Sequence, residues 1–247
     1  MNEENAVKIY VNNKINKFII ILLSISAIIL ITITLFVSDV AISLNINHFT
    51  QTPSAGFLNA FFIFYTNFLI YAFIVSIYIL GLLSFLKIKK LEFLEQWRPT
   101  LISCILSWIF GEIIVNSIKY TVLRPRPFNY FSPSQFSPIS HAEGPSFPSG
   151  HSAAAFNSSM PLLYKTNNFW IKLVYILYAS LMAFSRVYVG VHWTTDVLVG
   201  MLIGIGISFL VSIGYPKLLN KFENKTKIEF ISWIILLTLG IIWIIIF

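Results

Sequence analysis

Residues 18–37 read Phe-Ile-Ile-Ile-Leu-Leu-Ser-Ile-Ser-Ala-Ile-Ile-Leu-Ile-Thr-Ile-Thr-Leu-Phe-Val, a run without one charged side chain. As a helix, about 20 residues at ~1.5 Å each cross the ~30 Å core of a bilayer. Lipid offers backbone N–H and C=O groups no partner, so such a run must close its own hydrogen bonds as a helix. The same reading places candidate spans at roughly 18–38, 58–86, 100–121, 150–164, 170–188, 194–214 and 229–247. Composition agrees: 11% of residues are charged and 57% hydrophobic, whereas soluble domains carry about 25% charged residues. The expected fold class is all-α, a polytopic transmembrane helical bundle forming a single integral membrane domain over residues 1–247.

The first run is longer than the apolar core of a signal peptide, and no small-residue cleavage site follows it, so it is read as a retained helix. A net charge of +7 could suggest nucleic acid, but no basic stripe interleaved with aromatics occurs, and no nucleic-acid partner is expected. Cys104 is the one cysteine, which excludes a disulfide framework or a cysteine metal site. Lysines and arginines set orientation instead. Lys8, Lys14, Lys17, Lys87, Lys89, Lys90, Arg98, Lys165, Lys172, Lys217, Lys221, Lys225 and Lys227 fall on one side if every span crosses once. That side is expected to be the cytoplasm, with the N-terminus in it. The 39–57 loop on the other side has no Lys or Arg, and the remaining outward loops hold Lys119, Arg124, Arg126 and Arg186.

Three polar islands interrupt the apolar chain at that outward side. In Lys119-Tyr-Thr-Val-Leu-Arg-Pro-Arg126-Pro127, Lys119 is a point charge and Arg126 a planar fork suited to two phosphate oxygens. Arg124 competes for that role within the same Arg-Pro-Arg-Pro stretch. In Pro148-Ser149-Gly150-His151, Ser149 is a natural N-cap and Gly150 admits close backbone approach, so a helix start there offers N–H groups to an anion. In Ser185-Arg186 through His192 to Asp196, the last two lie four apart and would share a helix face. A carboxylate on one ring nitrogen fixes the tautomer and leaves the other as a directed lone pair. Singly, each island also reads as ordinary helix capping or headgroup anchoring.

Together, Lys-(six residues)-Arg-Pro, Pro-Ser-Gly-His and Ser-Arg-(five residues)-His-(three residues)-Asp resemble the signature of the type 2 phosphatidic acid phosphatase superfamily. The resemblance covers roughly residues 100–214, with motif residues from 119 to 196. It implies a six-helix core that looks like spans one to six, with the PAP2-like core at about 58–214; the seventh, C-terminal span lies beyond that core. It also implies a metal- and cofactor-independent membrane phosphatase with His192, His151 and Asp196 as catalytic residues. His192 would attack phosphorus, Asp196 would steady its ring, and His151 would protonate the leaving oxygen and later activate water. Lys119, Arg126, Ser149, Gly150 and Arg186 would hold the phosphoryl oxygens. The implied partner is a lipid phosphate in the membrane: undecaprenyl diphosphate, phosphatidylglycerol phosphate, phosphatidic acid or lipid A. Oligomeric state is not legible in the sequence.

Three further residues stand out. Glu112 lies two helical turns from Lys119, and an acid within a span invites a functional reading, although a buried partner for Arg or Lys is the preferred one. His141 and Glu143, in the Pro/Ser-rich loop 129–147, are candidates for contact with a substrate headgroup. Two other classes share this inventory: a catalytically silent phospholipid-binding or transport protein, and a vanadate-dependent haloperoxidase.

Overall fold

The computed structural model describes residues 14–86 and 88–246, and no strand occurs among them. Lys8, Lys87 and the end of the seventh span at Phe247 lie outside the described residues. Helix α1, Lys14–Val37, stops where Ser38 takes a left-handed φ of 74°. The Ser38 hydroxyl then accepts the Val40 N–H at 3.2 Å and starts α2, Asp39–Thr50. The sequence predicts a loop over 39–57. Its 12-residue helix is too short to cross a bilayer, yet Ser38 and Asp39 supply the capping oxygen and the acid that favour a helix start.

The second span is one rod with a change of pitch. A 3₁₀ turn, Pro53–Ala55, leads into α3, Gly56–Phe64, then a π-helical segment, Tyr65–Leu69, and α4, Ile70–Leu83. A second 3₁₀ stretch, Lys89–Trp97, runs into α5, Arg98–Val122. Leu123 closes α5 with a φ of 52°, and Pro125 and Pro127 prevent the helix from resuming at once. After a single turn at Pro127–Tyr130 and a long loop come α6, Gly150–Lys165, α7, Phe169–Tyr188, α8, Thr194–Leu219, and α9, Lys225–Ile246.

By length and apolar composition, five stretches among the described residues can cross a membrane: Asn16–Thr34, Pro53–Leu83, Lys89–Tyr130, Phe169–Tyr188 and Thr194–Leu219. Helix α6 has only 16 residues, but its neighbours α5, α7 and α8 enclose it. Every residue from Ser152 to Tyr164 is buried. Its Ala/Ser composition allows this, because small side chains let backbones approach where apolar solvent gives no hydrophobic drive. Ser158 and Ser159 donate to the carbonyls four residues back, at 2.6 Å each, so their hydroxyls cost little. Gly200 and Gly204 of α8 form the other side of the crossing. A Cβ on Gly200 would come 2.5 Å from the Ser149 carbonyl oxygen, and one on Gly204 would come 2.7 Å from that of Ala153.

The bundle has two polar ends. At one, Arg98 is buried with its Nη1 3.2 Å from Glu229 Oε2 on α9 and its Nη2 2.5 Å from the Ser84 carbonyl. The Lys172 ammonium is also buried there and donates to Asn16. Both fall in the basic clusters that the sequence assigns to the cytoplasmic surface. The long reach of their side chains lets them tie helix ends together instead. The three motif islands gather at the other end.

The tight α6–α8 crossing generates a packing prediction. Gly204→Ala places a methyl against backbone that cannot move aside and is expected to destabilise by about 1–3 kcal/mol. Gly206→Ala, on the same helix with nothing within 4 Å, is the control and should be neutral or slightly stabilising. Thermal unfolding in detergent compares them, and equal melting temperatures would show slack at the crossing.

Candidate active site

The site is assembled from the ends of α5, α6, α7 and α8 and the loop after Arg124. His192 does not share a helix face with Asp196. It precedes Trp193, the N-cap of α8, and Asp196 occupies the third helical position. The two side chains meet across the helix start, with His192 Nδ1 3.5 Å from Asp196 Oδ2. The same Oδ2 accepts the Trp193 N–H at 3.0 Å and the Ser146 hydroxyl. His192 is 2% exposed. Burial, with Arg126, Arg186 and Lys119 around it, holds its imidazole well below the ordinary histidine range, so the ring is neutral near pH 7.

Arg126 sits on the other ring nitrogen, its Nη1 3.3 Å from His192 Nε2. Its remaining donors clamp backbone: Nη1 to Val191 O at 2.8 Å, Nε to Gly144 O at 2.9 Å and Nη2 to Glu143 O at 2.7 Å. The N–H directed at Nε2 is thus the one placed to meet an incoming anion. Arg124 faces elsewhere. Its Nη1 is 2.6 Å from Asp196 Oδ1, and its Nη2 is 2.9 Å from Asp39 Oδ2 on α2. Of the two arginines the sequence left in competition, the structure puts Arg126 at the histidine and Arg124 behind it.

Arg186 is 3% exposed. Its Nη1 donates to Thr66 Oγ1 at 2.5 Å, on the π segment, and its Nε is buried without a partner among the described residues. The extra residue in a π turn redirects side chains and is frequent at functional sites. Ser149 caps α6 by accepting the Ser152 N–H at 3.4 Å, while its own N–H donates to Asp196 O at 2.9 Å. That bond ties the Ser149-Gly150 turn to the start of α8. His151, in the first turn of α6, is within electrostatic reach of Arg186, His192, Lys119 and Arg126, and its ring lies edge-on to Tyr71 at 6.3 Å. Lys119 interacts in turn with Arg126, Arg186, Glu112 and Asp196.

The secondary candidates divide. Glu112 is half-buried and interacts with Lys119 and with the Asn116 amide at 3.5 Å, a position behind the cation cluster. The His141 and Glu143 side chains are exposed, and Glu143 engages Arg126 through its backbone carbonyl. A cavity of about 540 Å³, bordered by Arg98, Ser103, Lys165 and Glu229, opens at the opposite end of the bundle and contains none of the motif residues.

Sequence reasoning missed Asp39, Thr66, Ser146 and Thr195. For Asp39 a signal existed: it is the one acid between Glu4 and Glu92, stranded beside an apolar run. Ser146 and Thr195 are small hydroxyl residues in stretches already full of them, and Thr66 shows itself only through the π turn.

Residues 100–220 match the PAP2 superfamily model. Undecaprenyl-diphosphatase of Sulfolobus acidocaldarius is 34% identical over 134 residues, 54% of this chain and 64% of that protein. Phosphatidylglycerophosphatase B of Bacillus subtilis is 33% identical over 144 residues, 52% of this chain and 65% of that protein. The aligned stretch spans less than two thirds of either relative. The crystal structure of a transmembrane PAP2 type phosphatidylglycerolphosphate phosphatase from Bacillus subtilis superposes with a TM-score of 0.57 at 27% identity. That likeness covers 83% of this chain and 98% of the other. With its long apolar helices, the protein is a multi-pass membrane protein. The motif positions from 119 to 196 fall inside the matched region, and residues 100–220 of this chain are a PAP2 superfamily match.

Proposed function

We propose that this protein is a membrane phosphatase that takes a phosphoryl group from a lipid phosphate onto His192 and passes it to water. The observation that carries the reading is the buried, neutral imidazole held between two opposite groups. Asp196 lies on its Nδ1 side and the Arg126 guanidinium beside Nε2. A proton on Nδ1 leaves Nε2 as the nucleophilic nitrogen, and the Arg126 N–H that now points at its lone pair must turn to an incoming phosphoryl oxygen before attack.

In the first step the Nε2–P bond forms and the bond from phosphorus to the lipid oxygen breaks; His151, which takes up a proton once the phosphoryl anion has entered among the cations, gives it to that oxygen. In the second, His151 takes a proton from water, the hydroxyl oxygen bonds phosphorus, and the Nε2–P bond breaks to release phosphate. Lys119, Arg126 and Arg186 answer the charge on the non-bridging oxygens, aided by N–H groups at the Ser149-Gly150 turn. The buried, unpartnered Arg186 Nε supports this use of Arg186. Because the helix bundle leaves acyl or prenyl chains in lipid, a headgroup can reach the cations while its tail stays in the bilayer. Undecaprenyl diphosphate and phosphatidylglycerol phosphate are the first substrates to assay, given the names borne by the relatives.

The exposed Lys89, Lys90, Lys217, Lys221 and Lys227 lie at the end away from the site. By the positive-inside tendency that end faces the cytoplasm, so the site opens outward.

Three outcomes follow. His192→Ala abolishes phosphate release from every lipid phosphate while the helical content is kept. Unchanged hydrolysis would remove His192 as nucleophile, and a wild type without any hydrolysis would favour a silent lipid-binding protein. The attacking ring must be neutral, and its affinity for a proton is lowered. The acidic limb of kcat/KM, corrected for substrate ionisation, therefore lies below the 6.5 of an ordinary imidazole, and a limb above it would contradict the neutral-ring assignment. With Cys104 replaced by Ser, a cysteine introduced at His141 is labelled by a membrane-impermeant thiol reagent from outside whole cells. Labelling from the cytoplasmic face alone would reverse the orientation.

A further inference from the structure

Helix α2 lies outside the family-matched region and carries none of the motif residues, yet one of its side chains reaches the site. We infer that Asp39 is a positioning residue for His192, acting through Arg124 and Thr195 on the Asp196 carboxylate. The inference rests on the phosphatase reading for its effect on turnover, and on geometry for its existence.

The connections are direct. Asp39 Oδ1 accepts the Thr195 N–H at 3.1 Å, in the first turn of α8. Asp39 Oδ2 accepts both Arg124 Nη2, at 2.9 Å, and the Thr195 hydroxyl. Arg124 Nη1 donates to Thr195 Oγ1 at 2.7 Å and to Asp196 Oδ1 at 2.6 Å. The guanidinium also lies over the Trp193 ring, 5.1 Å from its centroid, so its plane is fixed on a further side. The Asp39 and Arg124 side chains are 12% and 29% exposed, which leaves the network partly shielded from water and salt.

A planar cation between two carboxylates divides its charge between them. Asp39 fixes the Arg124 fork and also draws part of its field away from Asp196. Asp196, 3.5 Å from Nδ1 and not hydrogen-bonded to it, then keeps enough negative charge to stabilise the ring as it becomes positive. Two opposite electrostatic effects follow. Without Asp39, Arg124 neutralises Asp196 more completely and the imidazole binds a proton less readily. Without Arg124, Asp196 is left unshared and the imidazole binds a proton more readily. The other groups facing the pair stay constant: Lys119 from α5, Arg126 from the loop, His151 from α6, Arg186 from α7, the Ser146 backbone, which favours a proton on His192, and the Ser146 hydroxyl and Trp193 N–H on Asp196.

The test uses the full chain in nanodiscs with Asp39→Asn and Arg124→Gln. The chain has four histidines. The ¹⁵N imidazole resonances of His192, assigned with His192→Gln, are titrated by NMR. The midpoint is expected to fall in Asp39→Asn and rise in Arg124→Gln, with kcat lowered about 10-fold in each and KM nearly unchanged. Arg124→Lys, which keeps the charge but not the fork, should hold the midpoint near wild type while kcat falls. Should Asp39→Asn fail to fold, Asp39→Ser removes the same charge and is read in its place. A purely structural tie between α2 and α8 would lower stability without moving the midpoints in opposite directions. Unmoved midpoints, or shifts of one sign in both variants, would overturn the inference. The titration needs no turnover, so a wild type that releases no phosphate would refute the phosphatase reading while leaving this one decided on its own evidence.

Discussion

Asp196 is a carboxylate with no exposed surface, set in the first turn of a helix long enough to cross a membrane. An ion in that position costs several kcal/mol unless donors surround it. The donors come from separate stretches of chain: the Ser146 hydroxyl, the Trp193 N–H and the Arg124 guanidinium. If any of these segments were elsewhere, a charge would be left unanswered in a poorly solvated place. The positions of the long loop, the turn before α8 and the end of α5 are coupled through that requirement. His192 inherits its placement from it.

The helices were legible because lipid leaves an apolar run no alternative to a helix. Helix α6 could be read despite its length, since Ala and Ser in place of Leu and Ile signal contact with other helices. Helix α2 was not, because its mixed composition has neither the apolar length of a span nor a strong amphipathic repeat. At the site, residue types were legible and directions were not. The spacing of His192 and Asp196 suggested one helix face, whereas the pair closes across a helix start. Arg124 and Arg126 stand in nearly identical local sequence, each followed by proline. Only the fold decides which guanidinium meets the imidazole and which meets carboxylates.

The two polar ends of the bundle treat charge differently. At the site end, cations crowd around groups poor in compensating anions, with Asp39 and Asp196 both engaged by Arg124. Such a field suits an anionic guest and opposes a protonated imidazole. At the other end, Arg98 and Lys172 are enclosed among helices, whereas Lys217, Lys221 and Lys227 lie exposed. Counting basic residues along the sequence therefore overstates how many meet headgroups, since some serve as internal fasteners.

The partnership of Arg98 with Glu229 joins positions 131 residues apart. Synthesis delivers the arginine early and the glutamate only with α9. Until α9 emerges, the guanidinium near the start of α5 has only the longer ion pair with exposed Glu95, 3.9 Å away, besides Ser84 and the Phe85 ring at 4.5 Å. The Arg98–Glu229 pair can therefore form only once α9 has docked, and a nascent chain halted before α9 would carry an unfinished seam into the bilayer.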